Sequence, residues 1–110
     1  MNFQDQKLAQ GRWFKLTLIE QMANVGSEVF RAINWRKKND EKYARLAFER
    51  VLELIDLTTL DPKNRNRLKE ILRCRELFCD FFVGNNQYHS TDVSWNKYFF
   101  SFNYAARINV

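Results

Sequence analysis

The sequence predicts an all-α protein, folded as one antiparallel four-helix bundle. Three features carry that prediction. Apolar residues recur at 3.6-residue spacing through four successive stretches. The breaks between the stretches hold capping residues, turn residues and a proline, the ordinary punctuation of helices. Only three Gly and one Pro occur in 110 residues, too few for a turn-rich β-sandwich. A chain of this length forms a single domain with a real core and needs no covalent staples. Ten Phe, four Tyr and three Trp must line that core or an interface.

The N-terminal dozen residues read as loosely ordered, and the first helix as running from about Phe14 to Lys38. Leu18, Ile19, Met22, Val25, Gly26, Val29, Phe30 and Ile33 share one broad face, with Gln21 and other polar residues opposite. Gly26 lies inside the apolar face, where it lets another helix come close, the alternative being a kink. Asp40 caps a second helix over about 41–58, with a buried face of Tyr43, Ala44, Ala47, Phe48, Val51, Leu54 and Ile55. The link is so short that helices one and two must be antiparallel neighbours. Asp61 and Pro62 read as N-cap and first residue of a third helix, over about 62–82. Gly84 is the expected left-handed stop. Ser90 or Thr91 then caps a fourth helix over about 92–107, with Asp92 at its positive end.

Helices three and four each show two apolar strips. On helix three, Leu68, Ile71, Leu72, Phe78, Cys79 and Phe82 make the main face, and Cys74, Leu77 and Phe81 a second. On helix four, Trp95, Tyr98, Phe99, Phe102 and Ala106 make one face, and Phe100, Tyr104 and Ile108 another. A helix in an isolated bundle needs one broad apolar face. The second strips therefore predict an outside contact through Leu77, Phe81, Phe100, Tyr104 and Ile108, with a second copy or a protein partner. The competing account is cover within the chain, by irregular packing or by Phe3, Trp13 and Phe14.

Several chemistries find little support. No apolar run reaches the roughly 18 residues of a membrane helix, and the start lacks a basic-then-apolar signal pattern. The expectation is a cytoplasmic protein with no membrane association. Cys74 and Cys79 lie about 140° apart on one helix, so they read as reduced, mostly buried thiols. His89 is the single histidine, in the loop before helix four, with neither a metal-ligand spacing nor a triad around it. Glu49, Glu53 and Asp56 share a face of helix two, and Glu76 and Asp80 one of helix three. If those faces met, they would suit Mg²⁺ and phosphate chemistry. Helical nucleotide pyrophosphatases pair Glu-x-x-Glu with Glu-x-x-Asp, and only Glu53 and Asp56 match half of that pattern. Arg45, Arg50 and Arg73 lie close enough to neutralise these acids. The expectation is no metal, no cofactor and no catalysis. Arg75 falls near the middle of helix three's apolar face and needs a carboxylate or several carbonyl partners, the alternative being a ligand site.

The charge is +5 and uneven. Lys63, Arg65, Arg67 and Lys69 gather where cations oppose the helix dipole, so local stability does not explain them. With Arg12, Arg36, Lys37 and Lys38 they would make a patch for nucleic-acid phosphates; the competing account is ordinary solubilising charge.

The segments "MANVGSEVFRAINWRKK", "AFERVLELIDLT", "DPKNRNRLKEILRCRELFCDFFVGNNQY" and "STDVSWNKYFFSFNYAAR" resemble a family of short, uncharacterised bacterial helical proteins, over about residues 13–107. That resemblance implies a compact helical domain and supplies no catalytic residues. Likeness to HEPN ribonucleases stops at the fold, because no Arg stands four to six residues before His89. The small basic four-helix proteins that accompany retroelement reverse transcriptases are similar in size, charge and helix count, without a shared motif. The reading is a non-catalytic binding or scaffolding bundle, with an accessory nucleic-acid-binding protein as the alternative and a divalent-metal nucleotide hydrolase third.

Overall fold

The computed structural model describes residues 10–108. Expectations placed on Phe3 and on the looseness of residues 1–9 lie outside that range. Among the described residues the chain is helical and has no strand. A helical turn at 10–13 precedes α1 (Leu18–Lys37), α2 (Glu41–Leu60), a 3₁₀ helix (Pro62–Arg67), α3 (Leu68–Phe82) and α4 (Asp92–Ile108).

Local chemistry sets most of the boundaries. α1 starts at Leu18, four residues later than expected, because Thr17 and Glu20 form a reciprocal capping box. The Glu20 N–H donates to Thr17 Oγ1 (3.2 Å), and the Thr17 N–H donates to Glu20 Oε1 (2.9 Å). Asp40 caps α2 as expected, accepting from the Tyr43 N–H at 3.1 Å. Asp61 also caps as expected, but the first six residues of the third helix are 3₁₀. So long a 3₁₀ run is unusual. It is held by Asn64, whose side chain turns inward and donates to the Thr58 carbonyl (2.9 Å) and Gln21 Oε1 (2.8 Å).

Gly84 does not take the left-handed conformation. It is required for closeness instead: a Cβ there would stand 3.0 Å from the backbone of Asp80. The left-handed positions are Asn39 at the first corner and Asn86 and His89 at the last, residue types that tolerate it. Thr91 caps α4 through a mutual pair with Ser94: each backbone N–H donates to the other's hydroxyl.

Side-chain contacts join the helices to one another. Trp35 packs on Tyr43 at one end of α1 and α2 (4.9 Å between rings), and Trp13 reaches Thr58 at the other. Phe48 on α2 stacks on Phe82 and touches Phe78. Phe78 and Phe81 on α3 meet Trp95 on α4. α4 returns to α1, with Phe99 against Gly26 and Asp92 beside Arg36 and Lys37. Gly26 thus permits the close approach expected of it. The core combines aliphatic residues of α1 and α2 with an aromatic cluster of Phe48, Phe78, Phe81, Trp95 and Phe99.

The two strips of α3 are one face. Ile71, Cys74, Phe78 and Phe81 are buried together, while Leu68 and Leu72 are exposed. α3 is flanked by α2 through Phe78 and Phe82 and by α4 through Phe78 and Phe81. A helix gripped on two flanks needs an apolar arc wider than a single contact demands.

One end of the molecule is closed by a buried polar network that hydropathy misses. Gln21, placed on the polar face by periodicity, is fully buried. Its Nε2 donates to Asp61 Oδ2 (2.8 Å) and to the Trp13 carbonyl (3.0 Å). Trp13 Nε1 donates to Thr58 Oγ1 (2.9 Å), which donates onward to the Leu54 carbonyl (2.7 Å). Lys63 Nζ bonds both Asp61 and the Phe14 carbonyl. Residues 10–12, expected to be loose, form a helical turn with Trp13, which is anchored in this network. Such a network stabilises because its buried members find partners.

Candidate functional site

The outer side of α4 carries an exposed apolar line. Phe100, Tyr104 and Ile108 are 66%, 59% and 61% exposed. Spaced i, i+4, i+8, they lie on one line of the helix, and the Phe100 and Tyr104 rings stack at 6.4 Å. Val93, one heptad before Phe100, extends the line and is also exposed. Trp95 and Phe99 are buried on the opposite side of α4, so the line faces away from the core. Between α4 and α1 it borders a groove of about 360 Å³, walled by Phe30 and Phe100 with Gly26 and Phe99 beneath. Phe30, assigned to the buried face of helix one, is half-exposed here. It lies at the α1–α4 seam, on the wall of this groove, instead of in the core.

Not every residue expected on the contact surface reaches it. Phe81 is buried, 8% exposed, between Phe78, Trp95 and the Arg36 guanidinium, which lies 4.6 Å from its ring centre. Leu77 packs against the core and lines a second groove of about 400 Å³, at the α3–α4 seam, with Cys74, Trp95 and Tyr98. Burial pushes the Cys74 thiol and the Tyr98 hydroxyl each up to about 12, so both stay neutral. The charged groups of this seam are occupied: Glu70 holds Arg67 (2.6 Å), and Arg73 pairs with Glu76 (3.7 Å). The buried Trp95 N–H has no acceptor among the described residues.

The structure divides the basic residues. Arg36, Lys37 and Lys38 end α1, whereas Lys63, Arg65, Arg67 and Lys69 lie beside its start, roughly 30 Å away along a 20-residue helix. They do not gather into one composite patch. Arg36 and Lys37 both face Asp92 at 3.7 Å, and Arg36 also donates to the Phe82 carbonyl. Lys38 rests on the Trp35 ring. Lys63 serves the buried network and Arg67 serves Glu70. Arg12, Lys15, Arg65 and Lys69 stay exposed at that end, with no carboxylate partner among the described residues.

The acidic residues are also taken up one by one, by arginines or by backbone N–H groups. Glu49 faces Arg45, and Glu53 faces Arg50. Asp56 accepts from Arg75 Nε at 2.9 Å, the ion pair that Arg75 required. Asp80 Oδ1 and Oδ2 accept from the Gln87 and Tyr88 N–H groups and tie down the loop. Among the described residues no three His, Cys, Asp or Glu side chains gather where a metal could bind. His89 is an exposed loop residue whose N–H donates to the Asn86 carbonyl. Both halves of the loop are thus held by Asp80 and Asn86, and it acts as a corner.

No helix among the described residues is long and apolar enough to cross a membrane. Comparison of the chain with protein-family models, curated proteins and solved structures finds no match.

Proposed function

We propose that the chain is an antiparallel four-helix bundle acting as a non-catalytic binding module. It docks a protein through the outer face of α4, continued onto α1 at Phe30. The observation that carries this is the line of Phe100, Tyr104 and Ile108, each more than half exposed. Covering such a line removes apolar area from water, which no contact within the described chain does. The face differs from the surface first read from the sequence, because Leu77 and Phe81 belong to the α3 flank that meets α4.

The test compares the parent with a Phe100→Asp, Tyr104→Asp double variant. Both are measured by sedimentation over about a hundredfold range of concentration and by capture of bound protein. The parent is expected to self-associate or to retain a partner that the variant loses at an unchanged melting temperature. A parent that stays monomeric and retains nothing refutes the reading.

A second reading rests on a separate observation, the exposed Arg12, Lys15, Arg65 and Lys69 around the 3₁₀ helix. Four such cations suit the phosphate backbone of a nucleic acid. This reading predicts binding at about 50 mM salt that falls by an order of magnitude or more at about 200 mM, without sequence preference. Binding that is insensitive to salt removes it.

A further inference from the structure

Resting on the docking-face reading, we infer that the occupant of the α4 groove is an acidic amphipathic helix of another protein, not a second copy of this chain. The argument is one of charge and shape. After Asp92, α4 has no acidic residue, and Lys97 and Arg107 are its only charges. Asp92 itself is engaged by Arg36 and Lys37. On the α1 side, Arg31 and Glu28 neutralise one another at 2.8 Å. The apolar line is therefore bordered by two exposed cations with no carboxylate partner among the described residues.

A two-fold pairing of α4 with its own copy brings those cations together. Antiparallel pairing with Phe100 opposite Tyr104 of the other copy sets Lys97 opposite its Arg107, and parallel pairing sets each beside its like. Both arrangements place like charges at the rim of an apolar contact, on a chain already at +5. An acidic partner turns the same two positions into ion pairs.

The groove suits a helix. From Val93 to Ile108 the line is about 22 Å long, the length of roughly four helical turns. At its middle the depression between Phe30 and Phe100 is concave. It takes a protruding Leu or Phe, with apolar neighbours i+3, i+4 and i+7 along Tyr104 and Ile108. A bilayer surface offers no such protrusion.

The probe is a labelled 18-residue amphipathic helical peptide, Leu on one face and Glu on its flanks, with a Lys-for-Glu version as control. Binding to the full-length chain is read by fluorescence anisotropy, alongside sedimentation of the chain alone and co-sedimentation with phosphatidylserine vesicles. The Glu peptide should bind, and a Lys97→Glu, Arg107→Glu variant should weaken it about tenfold or more, since two surface charges change sign. The same variant should gain affinity for the Lys peptide. Circular dichroism checks that both variants fold. Equal binding of the two peptides overturns the inference. A dimer dispersed by Phe100→Asp, Tyr104→Asp overturns it while the docking face stands, and so does binding to vesicles but to neither peptide. Failure of every probe with a monomeric chain defeats inference and docking face together.

Discussion

Replacing Gly26 with alanine should destabilise the protein, although alanine is the better helix former. In an exposed helix interior the change would stabilise by about 0.5–1 kcal/mol. Here the new methyl would stand 2.7 Å from Phe99 Cβ and 2.9 Å from Phe99 Cγ and Cδ1. Carbon atoms in contact prefer about 3.5–4.0 Å, so roughly 1 Å must be found. Phe99 Cβ is fixed to the α4 backbone, and its ring is hemmed by Trp95, Tyr98 and Phe102. No rotamer change relieves the clash, and α4 must move off α1. Overpacking of this kind costs about 1–3 kcal/mol, and the immobile contact places it at the upper end. Subtracting the propensity gain leaves a net loss of about 2 kcal/mol, or a fall in Tm of roughly 8–16 °C for a domain near 100 residues. Thermal denaturation followed at 222 nm measures it. Gly11→Ala is the control, since nothing described lies within 4 Å of its Cβ position. A Gly26→Ala protein as stable as the parent would refute the close packing of α4 on α1.

Four further outcomes follow from the same contacts. Trp13→Ala should cost about 3–5 kcal/mol, as a buried Trp on the network would, and a loss below about 1 kcal/mol in chemical denaturation would show that this segment is not anchored. Burial raises the pKa of Asp61, but hydrogen bonds from Lys63 and Gln21 outweigh it and hold the carboxyl below its usual range. A folded value below the unfolded one makes this stabilisation complete above the unfolded pKa of about 3.9 and lost as pH falls below it; Asp61→Asn should flatten the parent's loss of stability below about pH 4, and parallel pH profiles would contradict the network. Cys74, its thiol pushed up to about 12 by burial, should resist thiol reagents at about pH 8 until the protein unfolds, with partly buried Cys79 labelled first; native labelling of Cys74 at the rate of a free thiol would count against the α3 assignment. Asp56→Ala and Arg75→Ala should each cost about 1 kcal/mol or less, because the pair is part-exposed, and a double-mutant cycle that returns several kcal/mol would show it to be more deeply placed.

Much of this protein is readable in one dimension because helix formation is local. The 3.6-residue stripe, the caps at Asp40 and Asp61 and the Gly26 contact each depend on residues a few positions apart or on one small side chain within an apolar stripe. The misreadings have a common cause. Gln21 and Asn64 look like surface residues until their partners arrive from 43 positions apart in the chain. The second strip of α3 looks spare until α4 folds against it. Thr17 and Glu20 are the exception, since a capping box is a local signal that sequence reading can find.

The candidate site divides along the same line. The i, i+4, i+8 spacing of Phe100, Tyr104 and Ile108 is a sequence property, and so is the absence of acidic residues after Asp92. Which apolar strips are left uncovered depends on how the helices pack, for periodicity reports that a face is apolar and never what lies against it. Packing buried Phe81, exposed Phe30 and set the two basic runs at opposite ends of α1. The local code of this chain states its helices and their faces. Its surface follows only once each face has chosen a neighbour, because burial is a property of pairs of elements brought together across the chain.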